Sequence, residues 1–378
     1  MNKQHYLISL NLINFKNYEQ EELSLSPEIN CFIGPNGTGK TNILDAIYYL
    51  SMCKSYLNPI DSQNIRFDES FFMLQGTWKK GEKEENVYCG VKRGQKKTFK
   101  KNNVIYEKLA DHIGQFPVVM ISPYDRDLII EGSSVRRKWL DGIISQFDRD
   151  FLNDLIKYEK VLAQRNALLK NMGDFGFFDS ESIEVWDEQL TSIGNKIHEK
   201  RKKSIEDFIP IFQKFYKWIS DEKEEVTLIY RSQLFDLSFA ELLKRAERDD
   251  LKRQFTTVGV HKDDFIFKIN EYPIKKFGSQ GQQKSYLIAL KLAQYVWLKE
   301  RLGIKPILLL DDIFDKLDNK RVERLMQLVS EQDFGQVLVT DTDEERVDSI
   351  FMKNRIKFKA FKIKNNAIQI SEPNVITI

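Results

Sequence analysis

The stretch that most restricts what this chain can fold into is INCFIGPNGTGKTNILDAIYYL, residues 29–50. An apolar run too short for a helix leads into three glycines, Gly34, Gly37 and Gly39, and then into apolar residues at helical spacing. That is a strand, a tight loop and a helix, the unit of a parallel α/β sheet. Glycines let the loop turn its backbone N–H groups inward on a phosphate chain. Lys40 would reach the terminal phosphates, Thr41 would hold Mg²⁺, and the helix N-terminus would add its positive end; Asn36 and Asn42 complete the candidate set.

A second apolar run, ILLLDD, ends in two carboxylates. In a phosphate-binding α/β sheet, Asp311 would orient Mg²⁺ and Asp312 would stand where a base polarises an attacking water. A third stretch, FGSQGQQKSYLIALKLAQYVW at 277–297, is a small donor-rich turn opening a long helix. By itself it is a well-capped helix or a turn shaped to receive an anion.

The remaining patterns frame these three. Tyr6–Phe15 and Glu22–Leu25 read as strands, Phe71–Phe99 as antiparallel hairpins, and FPVVMISP as a buried strand. Residues 133–255 are almost all helical in pattern, with helices expected at Ser133–Ser145, Arg149–Asn171, Ser182–Ser220 and Phe239–Gln254. Strand patterns return at Phe265–Ile269, ILLLDD and QVLVTD, so the two ends of the chain are expected to build one sheet. The expected organisation is an α/β head formed by 1–132 with 256–378, carrying a helical insert at 133–255. No internal repeat occurs, and the insert is too short for a long coiled-coil arm.

At 378 residues the chain can bury a large core, and 58 basic against 56 acidic residues leave no whole-molecule field to attract nucleic acid. Any such surface must be local. Lys92, Arg93, Lys96, Lys97, Lys100 and Lys101 form a run of six basic residues without an acid, either a solvated hairpin face or a contact for nucleic-acid phosphate. Arg136 and Arg137 carry the same two readings at the start of the first insert helix. His261 could touch nucleotide or partner, or be a satisfied structural residue. Cys31 reads as packing. The three cysteines lack CxxC or Cys/His spacing, the N-terminal apolar run is too short for a signal peptide, and no stretch of about 20 apolar residues occurs, so a soluble cytoplasmic protein without membrane contact is expected.

In their order, the glycine loop, the Ser-Gly-Gln turn and the aspartate strand resemble the head of ABC-type ATPases. With them, LNLINFKNY, SPYDRDLIIEGSSVRRKWLD, YEKVLAQRNALLK, TTVGVHKDDF, SQGQQKSYLIALKLAQ and LLLDDIFDKLD occur in the order seen in the RecF family of recombination mediators, over essentially the whole chain. The resemblance implies a Rad50/SMC-like head without long coiled coils, and an ATP-dependent homodimer in which the signature turn of one copy closes on the ATP of the other. It implies DNA as partner, single-stranded, duplex or at gap junctions, and work with RecR and RecO to bring RecA onto strands covered by single-strand-binding protein, in repair and the SOS response. Position by position, Lys40 and Thr41 match the P-loop pair, Ser279, Gly281 and Gln282 the signature turn, Asp311 the metal-orienting residue and Asp312 the base. Asp318 matches the residue that joins the two sites across such dimers, and Lys16 and Asn17 approach the nucleotide from the first strand pair. Two departures stand out. Asp341 occupies the usual place of a switch histidine, and Ser122 that of a lobe-linking glutamine.

An aspartate base is about 1.5 Å shorter than glutamate, so the expected hydrolysis is slow. Transporter-like ATPase subunits and non-hydrolysing ATP-gated scaffolds share these motifs and are the alternative readings.

Overall fold

The computed structural model describes residues 5–177, 179–220, 224–313, 321–322, 324–325, 334–353, 357–364 and 367–371. Asp318 lies outside the described residues. The chain forms two compact units, one of residues up to Asp125 and from Leu287 onward, the other Arg126–Tyr286. The second unit thus takes in more on both sides than the expected helical insert.

The first unit begins with β1 (His5–Phe15), β2 (Tyr18–Ser24), β3 (Ile29–Ile33), β4 (Phe71–Lys80), β5 (Lys83–Lys92), β6 (Thr98–Lys101), β7 (Val104–Ile105) and β8 (Val118–Ile121). In the second unit lie β9 (Val226–Arg231), β10 (Asp264–Ile269) and β11 (Tyr272–Pro273). The chain then returns to the first with β12 (Ile307–Asp311), β13 (Val337–Asp341), β14 (Phe358–Lys364) and β15 (Ala367–Ser371).

Two sheets share the first unit. One is antiparallel, in the order β2-β1-β4-β5-β6-β7. Its strands alternate buried and half-exposed residues because one face lies on the core. In β1 the alternation changes phase between Leu7 and Leu10, both fully buried, because a bulge against β4 falls between Leu7 and Ser9. The other sheet has the order β15-β14-β3-β13-β12-β8, with β14, β3, β13, β12 and β8 parallel. Every residue of β3, β8, β12 and β13 is buried, which is why these strands read as continuous apolar runs. Between the sheets runs the helix Lys40–Met52, whose Ile43, Leu44, Ile47 and Leu50 join residues of both sheets in one core.

The expectation of one sheet from the two chain ends needs correction. Strands β3 and β8 do pair with the C-terminal strands, but β1 and β2 enter the separate antiparallel sheet. The Phe265–Ile269 strand joins neither. It pairs with β9, inside the stretch expected to be helical, and β11-β10-β9 is the second unit's own small sheet. The segment VTLIYR alternates with period two, buried at Val226, Leu228 and Tyr230, and its helical neighbours masked that signal.

The second unit's long helices are Ser133–Phe147, Arg149–Phe175, Ser180–Ser220 and Phe239–Arg253, followed by the start of Gln280–Leu302. Their starts are set by local chemistry. Asp148 accepts the Phe151 N–H at 3.0 Å, and Ser238 with Glu241 forms a reciprocal capping box. Among the described residues, no helix is long and apolar enough to cross a membrane.

Candidate functional site

Parallel strands present their C-terminal ends on one edge of the sheet, and the P-loop after β3 sits there with Ser122 after β8, Asp311 at the end of β12 and Asp341 at the end of β13. The loop leaves β3 with the Gly34 N–H donating to the Asp341 carbonyl at 3.2 Å. Only glycine fits at 34, because a Cβ there would lie 2.4 Å from the Ile363 carbonyl oxygen. Gly39 has φ +99°, and a Cβ on it would meet the Asn17 amide at 2.4 Å. Asn17 therefore braces the loop from the first strand pair: it donates to the Thr38 carbonyl at 3.3 Å and accepts from Asn42 at 2.6 Å. Pro35, Asn36 and Gly37 form the exposed crown.

Lys40 is buried, and its ammonium donates to the Gly34 and Pro35 carbonyls at 2.6 and 2.8 Å. Burial lowers its pKa below the usual lysine value, while Asp312, Asp311 and Asp341 act against that shift. Thr41 Oγ1 donates to Asp311 Oδ1 at 2.8 Å, joining the glycine loop to the aspartate strand across 270 residues of sequence. Thr340 donates to the same oxygen at 2.9 Å, and Ser122 to Asp311 Oδ2 at 3.3 Å. Burial pushes the Asp311 carboxyl above the usual range, and the three hydroxyls oppose it. A carboxylate ringed by hydroxyls is an all-oxygen donor set, which suits Mg²⁺ completed by phosphate and water. Asp312 turns away from the strand with φ +48°, its N–H donating to Thr340 Oγ1 at 2.9 Å.

Lys16 is engaged elsewhere, in an ion pair with Asp45 at 2.5 Å. Asp45 is fully buried on the P-loop helix and also accepts from Ser55 and the Tyr56 N–H, both at 2.6 Å. Ser122 is anchored by Asp125, whose Oδ2 accepts the Ser122 N–H at 2.8 Å. Asp125 is paired in turn with Lys291 at 2.6 Å and accepts a hydrogen bond from the Tyr56 hydroxyl.

In the second unit, the Ser279 turn caps the helix Gln280–Leu302. The Ser279 N–H donates to Gln282 Oε1 at 2.7 Å, Ser279 Oγ accepts the Gln282 N–H at 3.2 Å, and Gln282 Nε2 donates to Glu224 at 2.8 Å. Ser279 is exposed and Gly281 half-exposed.

The basic candidates divide. Lys92, Arg93 and Lys96 are exposed at the hairpin turn, whereas Lys97 pairs with Asp61 at 2.9 Å, Lys101 with Glu85 at 3.4 Å, and Lys100 lies over the Tyr88 ring. Arg136 and Arg137 form no solvated helix face: Arg136 grips Asp264 through Nε at 2.8 Å and Nη2 at 3.2 Å, and Arg137 donates to the Asp263 carbonyl at 2.5 Å. His261 is structural, bonded to the Tyr158 hydroxyl at 2.9 Å and the Thr256 carbonyl at 3.1 Å, and burial pushes its pKa down to about 4. Cys31, Cys53 and Cys89 are all buried free thiols.

Sequence reasoning missed Thr340, Asp45, Asp125 and Lys291. Thr340 alone left a signal, a hydroxyl within the apolar run QVLVTD; the others act through partners distant in the chain.

Residues 6–365 match the family model described as the RecF/RecN/SMC N-terminal domain. The chain is 50% identical over 362 residues to the DNA replication and repair protein RecF of Phocaeicola vulgatus, covering 95% of this chain and 96% of that protein. It is 48% identical to the RecF of Flavobacterium johnsoniae, covering 95% of this chain and all of that one. A solved structure of the recombination mediator protein RecF with ATP, in the RecFOR pathway, superposes with a TM-score of 0.89 at 30% identity, over 98% of this chain and 99% of that one. The Smc head domain of Pyrococcus furiosus shares the fold, with a TM-score of 0.57 at 18% identity over 97% of this chain and 96% of that one. The chain therefore belongs to the RecF family of DNA replication and repair proteins, built on the ABC-type ATPase head that this family shares with SMC proteins.

Proposed function

We propose that this protein binds ATP with Mg²⁺, dimerises on gapped or duplex DNA when it does so, and hydrolyses the nucleotide slowly, so that hydrolysis times its release. The observation that carries the reading is the hydrogen bond between Thr41 and Asp311, which brings a phosphate loop and a metal-orienting carboxylate to one sheet edge. Mg²⁺ would neutralise charge on the phosphates, with Thr41 and Asp311 to hold it. The loop N–H groups and Lys40 cradle the phosphate chain, and Asp312 takes the proton of the attacking water. In the dimer, the exposed Ser279 turn of one copy, with Gly281 and Gln282, receives the terminal phosphate of the nucleotide on the other, a two-fold arrangement that creates two equivalent sites. DNA is held through its backbone phosphates at Lys92, Arg93 and Lys96, and the bound dimer works with RecR and RecO to load RecA on strands covered by single-strand-binding protein.

The test is sedimentation of the wild type and Lys40→Met, with and without ATP and a gapped duplex, while phosphate release is followed in the same samples. The reading expects an ATP-dependent, DNA-bound wild-type dimer, a monomeric variant, and slow release stimulated by DNA. A dimer indifferent to DNA would point to a transporter-like subunit, and a DNA-bound dimer without turnover to a scaffold.

A further inference from the structure

Asp341 is buried and closes β13 directly beside the P-loop, in register with Ile33 and bonded through its carbonyl to Gly34. A buried carboxylate next to a loop built for phosphate repels the very ligand that the loop receives, unless a cation is held against it. The structure supplies that cation. Arg346 Nη2 donates to Asp341 Oδ1 at 2.6 Å, and the same oxygen accepts the Asp343 N–H at 2.8 Å. Asp343 caps the helix Glu344–Lys353 by accepting the Arg346 N–H at 3.1 Å, which puts Arg346 in the first turn. Side chains on a helix lean toward its N-terminus, so this cap turns the guanidinium back onto the strand end. Asp341 Oδ2 has no hydrogen-bond partner among the described residues, so Arg346 and the Asp343 N–H are its carboxylate's anchors there. The neighbouring residue, Thr340, holds Asp311 and Asp312, the flank on which the terminal phosphate of a nucleotide would lie.

We propose that Arg346 is a second cationic contact to the terminal phosphate of a bound nucleoside triphosphate, and that Asp341 is its positioning residue. The inference rests on the P-loop reading above. A guanidinium has five N–H donors in a planar fork, so an ion pair with one carboxylate oxygen is compatible with a phosphate contact. Because a diphosphate lacks the group Arg346 would touch, the residue distinguishes ATP from ADP.

The experiment is a fluorescence titration of wild type, Arg346→Ala, Arg346→Gln and Arg346→Lys with a methylanthraniloyl-labelled non-hydrolysable ATP analogue and with the labelled ADP. A charge-assisted contact predicts that Arg346→Ala and Arg346→Gln bind the triphosphate about tenfold to a hundredfold more weakly and ADP less than about threefold more weakly, with Arg346→Lys between them and wild type. Should Arg346→Ala be unstable, Arg346→Gln, which keeps the side-chain length, carries the same test. Equal losses for both nucleotides, or no loss for either, would assign Arg346 a structural role and overturn the proposal. Lys40→Met separates the two levels: if it binds both nucleotides as wild type does, the P-loop reading itself fails.

Discussion

Asp312 holds a left-handed backbone conformation, φ +48°, which aspartate tolerates better than longer side chains because its short polar group bonds locally. The short side chain of the proposed base and the backbone turn at the end of β12 therefore go together. Asp312→Asn should keep nucleotide binding while phosphate release falls by about a hundredfold or more, the usual contribution of a general base. Release at the wild-type rate would remove Asp312 from the chemistry. At this scale the legible residues were those whose roles are local: Gly34, Gly39, Lys40 and Thr41 are readable because a phosphate loop is made of consecutive residues. Thr340 and Arg346 were not, since what each does depends on a carboxylate that another residue supplies.

At the scale of elements, two groups of charges that look alike in sequence do different work. Arg165 is fully buried and ties the helix Arg149–Phe175 to two others, through Asp187 at 2.5 Å and Asp250 at 2.6 Å. Removing one partner leaves Asp250 buried without its cation, so Arg165→Met should cost about 3–5 kcal/mol of unfolding free energy in urea titrations. A cost under about 1 kcal/mol would mean that the helices are held by apolar packing alone. Lys92, Arg93 and Lys96, by contrast, are exposed. Replacing all three with glutamate should weaken DNA binding, lower the slope of log affinity against log salt by about 0.9 for each lost phosphate contact, and leave ATP binding intact. Unchanged DNA affinity would take the hairpin out of the interface. Arg136→Glu belongs to the first group: it places a carboxylate against Asp264 and should register as lost stability before any effect on DNA. Helices and buried parallel strands were legible from their periodicity and apolar runs, whereas β9 was lost among its helical neighbours and only its pairing with β10 reveals it.

For the whole molecule, the four histidines set a pH response that the near-balanced charge conceals. His5, His112 and His261 are pushed down to about 4 by burial, and His198 is lowered for the same reason. A histidine whose folded pKa lies below its unfolded value of about 6.5 binds its proton more readily when unfolded, so its stability contribution is complete above pH 6.5 and is lost as pH falls toward 4. The melting temperature should therefore drop between pH 7 and pH 5, with each of the three strongly shifted histidines contributing about 1 kcal/mol per pH unit within that window. A melting temperature flat from pH 7.5 to pH 5 would contradict the burial of these rings. The amino-acid sequence by itself determined the order of strand, phosphate loop, capped signature helix and aspartate strand, because each is specified by neighbours a few residues apart. Only the tertiary structure decided that the terminal strands divide between two sheets, that Arg136 and Arg137 bond to Asp264 and to the Asp263 carbonyl, and that Asp341 holds Arg346 beside the P-loop. A side chain's charge is written in the sequence, but its partner is chosen by which strand ends and helix turns the folded chain brings within about 3 Å of it.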